Sequence, residues 1–177
     1  RSRDTNLYLC GKLSDDNAKD EYTAFSTFGG LISITGNCNS LWDYENMDAP
    51  LKENCGNSMF AGCKNLNHVP ELPATTLALG CYQYMFQGCT ALTTAPALPA
   101  TTLADYCYRG MFQGCSSITT APDLLATQLV NSCYSNMFSS CSSLNYIKCL
   151  ATDIRSTDSF TFPPCNLWVS GVAATGS

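Results

Sequence analysis

Residues Cys81-Tyr82-Gln83-Tyr84-Met85-Phe86-Gln87-Gly88-Cys89 define a frame, C-x3-M-F-x2-C, that recurs from Cys55, Cys107 and Cys133, so that successive copies lie 26 residues apart. An apolar residue stands three positions after each second cysteine, at Leu66, Leu92, Ile118 and Leu144. A Thr/Asn-rich stretch then runs into Pro70, Pro96 or Pro122; the last copy has Lys148 there and the pattern ends. A fixed period of this length marks a solenoid, whose units bury their apolar faces only against their neighbours. One unit cannot fold alone, because about seven buried side chains at ~2 kcal/mol each do not offset the ordering of 26 residues at ~1.5 kcal/mol each.

At about 100° per residue, Leu77, Ala78, Cys81, Tyr82, Met85, Phe86 and Cys89 fall in one half of a helical wheel. The positions that change between copies fall in the other half: Leu79/Asp105/Asn131, Gln83/Arg109/Ser135 and Tyr84/Gly110/Asn136. This spacing predicts a helix from about Thr76 to Gln87, ended by Gly88 in the left-handed conformation, followed by one short Thr-rich strand per coil. The expected fold is α/β, a right-handed solenoid of four helix-plus-strand repeats. Its expected core contains Cys81, Met85, Phe86, Cys89, Cys107, Met111, Phe112 and Cys115.

Residues 1–50 lack the period. Asn6 to Cys10 and Leu31 to Thr35 read as strands of a β-rich N-terminal cap, 51–148 as the repeats and 149–177 as a C-terminal cap or tail, all within one structural domain. Arg1-Ser2-Arg3-Asp4 does not open a signal peptide, so export implies a leader already removed. The net charge is -5 with only 13% charged residues, and none lies between Leu72 and Ala104. No basic stripe exists to neutralise phosphates, which argues against nucleic acid as a partner. No apolar run reaches the ~20 residues needed to cross a bilayer, so membrane attachment would come through an anchor outside the chain.

The repeat cysteines do not space as zinc ligands, and along a helix Cys81 and Cys89 would stand about 12 Å apart, too far for a disulfide. Their expected role is that of small buried hydrophobes. Cys149 and Cys165 lie outside the columns and are the first candidates for a disulfide; Cys10 with Cys38 is a second pair. His68, the single histidine, shares a column with Thr94, Thr120 and Tyr146 and has no evident nucleophile or carboxylate partner. Asp15-Asp16 and Asp43-Tyr44-Glu45 lack the alternation of a calcium loop. No catalytic residue, metal site or cofactor is expected.

The string Gly88-Cys89-Thr90-Ala91-Leu92-Thr93-Thr94-Ala95-Pro96, continuing to Tyr108, resembles the BspA-like leucine-rich repeat proteins of Bacteroides-type bacterial surfaces. Ile34-Thr35-Gly36-Asn37 before the repeats and Trp168-Val169-Ser170-Gly171-Val172 after them match as well. The resemblance implies a leucine-rich-repeat-like solenoid on an exported protein, with adhesion to a host or bacterial surface protein or glycan. The expected binding face is polar and aromatic: Thr93, Thr94, Thr119, Thr120, Asn145, Tyr146, Tyr84, Tyr106 and His68. A passive spacer and a phage-encoded host-attachment protein are the alternatives.

Overall fold

The computed structural model of the chain describes residues 32–43, 45–152 and 163–172. The C-x3-M-F-x2-C segments are not helices. Each is a run of overlapping turns in which alternate residues send their amides in different directions. In the second coil Cys81, Gln83, Met85, Gln87 and Cys89 donate to carbonyls three residues back, at 3.1–3.3 Å. Gly80, Tyr82, Tyr84, Phe86 and Gly88 donate instead to Asp105, Cys107, Arg109, Met111 and Gln113 of the next coil, at 2.8–3.0 Å. Both sets of amides are thereby paired in a segment that is partly buried, which is what a buried backbone requires.

Every fourth residue of the run lies in the left-handed region: Gly80, Tyr84 and Gly88 have φ of 57°, 54° and 72°, and Ser132, Asn136 and Ser140 have 49°, 55° and 62°. An α-helix cannot hold such residues at that frequency. The helix-plus-strand solenoid expected from the sequence is therefore corrected. Among the described residues there is no α-helix, and the named strands are only β1 (Ile32–Ser33) and β2 (Leu66–His68), which pair in parallel. The expected strand from Leu31 to Thr35 shrinks to β1, and the one at Asn6 to Cys10 lies outside the described residues. Elsewhere the Thr-rich stretches make isolated parallel bridges, Thr76 with Thr102, Thr120 with Tyr146 and Leu124 with Cys149. Prolines at 70, 96 and 122 withhold the amides that a longer ladder would need.

The wheel misled because a turn repeat of four residues differs from a helical turn by only about 40°. Over two turns the buried pairs Cys81-Tyr82 and Met85-Phe86, with Cys89, stay within one half of the wheel although the backbone is not helical. Stacking then builds the core. Phe60, Phe86, Phe112 and Phe138 form one column with ring centroids 5.6–5.8 Å apart and planes within 13°. Tyr82, Tyr108 and Tyr134 form a second, at 6.0 and 6.1 Å. Each such contact is worth about 0.5–1.5 kcal/mol beyond the area it buries. Cys81, Met85, Phe86, Cys89, Cys107, Met111, Phe112 and Cys115 are all 0% exposed.

Residues 163–172, in the segment read from sequence as a cap or tail, continue the ladder. Tyr134, Asn136, Phe138 and Ser140 donate to the carbonyls of Pro164, Asn166, Trp168 and Ser170. Leu167 and Gly171 take the left-handed positions, with φ of 52° and 73°. Thus Trp168 stands where Met137 stands one coil earlier, although Pro164 and Val172 stand at the two cysteine positions of the frame and no Met-Phe pair marks the copy.

Candidate binding surfaces

Two stretches of each coil carry the residues singled out from the sequence, and they do different things. The first follows the second cysteine. Here Thr93, Thr94, Thr119, Thr120, Asn145 and His68 are exposed, and Tyr146 is 51% exposed. The Asn145 amide donates to the Thr119 carbonyl and the Ala121 amide to the Tyr146 carbonyl, both at 2.9 Å. These bonds fix the backbone and set the Thr120 and Tyr146 side chains on adjacent coils. At the other end His68 lies opposite Ser33 in the β1–β2 pair, its Nδ1 3.5 Å from the Ser33 hydroxyl. The Asn67 amide oxygen accepts from that same hydroxyl at 3.1 Å.

Tyr84 and Tyr106 are not part of this surface. They sit in the turn runs, half-buried, and both rings face Arg109, whose guanidinium carbon lies 5.9 Å from the Tyr84 centroid and 5.7 Å from that of Tyr106. The Tyr84 ring occupies the space a Cβ on Gly110 would need, within 2.3 Å of it, so glycine there makes room for the aromatic. Sequence reasoning placed Arg109 among the variable outer positions and gave it no role. The available signal was its isolation: no other lysine or arginine lies between Lys64 and Lys148.

The cysteines are structural. The thiols of Cys89, Cys115 and Cys141 donate to the carbonyls of Phe60, Phe86 and Phe112 at 3.0–3.1 Å. Those carbonyls already accept an amide from Cys63, Cys89 and Cys115, so the sulfur uses their second lone pair. Burial pushes the Cys89 thiol up to about 12, with the neighbouring Cys63 adding to it. It likewise pushes Cys141 up to about 11. Such thiols are protonated and unreactive at neutral pH. Cys149 and Cys165 carry free, half-buried thiols. Cys38 is free and buried, and Cys10 lies outside the described residues.

Among the described residues no three His, Cys, Asp or Glu side chains are grouped to hold a metal ion. Asp43 spends one carboxylate oxygen on the amides of Glu45 and Asn46, while Asp15-Asp16 lie outside the described residues. No described helix is long and apolar enough to cross a membrane.

The model of the BspA type leucine-rich repeat region matches residues 53–170 in six copies. The chain belongs to that family. Its members are generally non-catalytic modules that bind at surfaces, and the assignment supports an extracellular or surface location. The matched span reaches into 163–172, where the turn ladder continues after the cysteine frame has gone. Neither the search of curated proteins nor that of solved structures returned a match.

Proposed function

We propose that the chain is an exported surface module that binds a protein or glycan through Thr93, Thr94, Thr119, Thr120, Asn145, Tyr146 and His68. The observation that carries this reading is that these side chains are exposed while their backbones are held coil against coil, as in the Thr120–Tyr146 bridge. Bridged strands lie about 4.8 Å apart, so hydroxyl, amide and aromatic groups repeat at a spacing suited to an extended partner. Tyr146 supplies an exposed ring for stacking on a sugar or an apolar side chain. Charge contributes little: on this side the exposed Lys148 is already paired with Asp123.

The test is a screen on a glycan array and a panel of host matrix proteins, followed by titration of the best binder. Affinity is expected to fall in Thr120→Ala/Tyr146→Ala with the folded state intact, and to vary little between low and high salt, since few ion pairs are available to be screened. Full affinity in the double variant would remove this face from the account.

A further inference from the structure

We infer that the open edge of residues 145–151 is a docking site for an extended peptide, which adds to the solenoid as one further parallel strand. These residues pair with the third coil through every second residue. The Tyr146 and Lys148 carbonyls accept from the Ala121 and Leu124 amides, and the Leu150 amide donates to the Leu124 carbonyl, all at 2.9 Å. In such a ladder alternate residues turn their main-chain groups to opposite sides. Ile147 and Cys149 therefore turn theirs away from the third coil, and no described group bonds to the amide or carbonyl of either. Donors and acceptors in alternation make the edge that an added strand completes. One coil earlier the same edge is closed by residues 145–151 themselves, through the Thr120–Tyr146 and Leu124–Cys149 bridges.

Side chains define the partner. From 146 to 151 exposed and half-buried residues alternate, the period of an extended chain. Tyr146, Lys148 and Leu150 point outward, with Tyr146 51% and Leu150 45% exposed, while Ile147 and Cys149 pack against the core. The turn run 163–172 stands one coil further on, at the level the added strand takes. There Trp168 and Val172 are half-buried, whereas Met137 and Cys141, their counterparts in the fourth coil, are fully buried. Burial pushes the Cys165 thiol up to about 12, with Cys133 and Cys149 adding to it, so this run and the edge meet. Peptide residues beside Ile147 and Cys149 face inward and cover that apolar wall. Those beside Tyr146 and Leu150 lie outside and extend their apolar surface, and one between them meets Lys148, whose ammonium is bonded to Asp123 on its other side. The partner is therefore an extended segment with apolar residues inward, apolar residues at both outer flanks and an acid between them. A glycan offers neither the alternating main-chain groups nor the inward side chains. Tyr146 borders both sites, but this one rests on main-chain groups and does not depend on the Thr/Asn face.

The experiment titrates the full chain with a capped synthetic peptide that carries the sequence of residues 145–152 with Lys148→Glu and Cys149→Val. A second peptide is N-methylated at its fourth and sixth residues, whose amides meet the Ile147 and Cys149 carbonyls. Amide exchange and chemical shifts of the protein locate the bound peptide. The Ile147 and Cys149 amides are expected to gain protection and the Trp168 indole to shift. The methylated peptide should bind at least about tenfold more weakly, as loss of two hydrogen bonds implies. Cys149→Pro removes an edge donor that the third coil does not use and should weaken the first peptide several-fold. Equal affinity of the two peptides, or no binding of the first, would overturn the proposal. Shifts confined to Thr93, Thr94 and Thr119 would also overturn it while leaving the polar face standing. So would protection of Ile147 and Cys149 that grows with protein concentration alone, which would make a second copy the occupant.

Discussion

At the scale of single residues the core columns assign each side chain a definite cost. Met85 and Phe86 are fully buried, so Met85→Ala and Phe86→Ala should each lose about 2–5 kcal/mol in denaturant unfolding. Gln83→Ala, on the outer side, should stay within about 0.5 kcal/mol. Tyr82 presents a test of the opposite sign. Its hydroxyl is buried without a partner, so Tyr82→Phe should be neutral or stabilising by up to about 1 kcal/mol; a clear loss would show a bond the structure lacks. The thiols make stability depend on pH. A thiol raised in the folded state stays protonated there while the unfolded chain, with thiols near 9, ionises first. The unfolded state then binds fewer protons, so stability is flat below about pH 8. Above about pH 9 it falls, by roughly 1.4 kcal/mol per pH unit for each such cysteine until the folded thiol itself ionises. Denaturation midpoints measured from pH 6 to 10 check this, and a midpoint rising above pH 9 would contradict it.

At the scale of the element, the turn run explains both what the sequence disclosed and what it concealed. Burial of Cys81, Met85, Phe86 and Cys89 follows from apolar spacing, and spacing is blind to whether the backbone turns in 3.6 residues or in four. What distinguishes the two is the left-handed position every fourth residue, and in the second coil only Gly80 and Gly88 advertise it. The third such position is Tyr84, a residue that says nothing of positive φ in sequence. In the fourth coil Ser132, Asn136 and Ser140 hold all three sites without any glycine. Far-UV circular dichroism should accordingly lack the paired minima of helix, and a strong 222 nm band would refute the turn run. Glycine substitutions separate strain from space. Gly88→Ala meets no atom closer than 3.8 Å and should cost about 1 kcal/mol for its φ alone, whereas Gly110→Ala also displaces the Tyr84 ring and should cost more. Tyr84 fluorescence should change only in the second variant.

At the scale of the molecule, each coil is stabilised by its neighbours, so the ends matter as much as the middle. The final turn run, 163–172, covers Tyr134 and Phe138 through four backbone bonds. It was hidden in the sequence because Pro164, Cys165, Leu167 and Trp168 replace the cysteine frame, and the longer approach to it breaks the 26-residue count. Ending the chain after Thr152 should lower the unfolding midpoint and open Cys133 and Cys141 to alkylating reagents that leave Cys89 untouched. The polar columns were legible because they repeat with the frame, while the Tyr84–Arg109–Tyr106 group was not, since it joins two coils through residues that differ in every copy. All these surfaces depend on one arrangement, amides that alternate between their own coil and the next. Through-hydrogen-bond NMR couplings report it directly: the Tyr84 amide nitrogen should couple to the Arg109 carbonyl carbon, 2.8 Å from donor to oxygen, and coupling instead to the Gly80 carbonyl, as in an α-helix, would contradict the account.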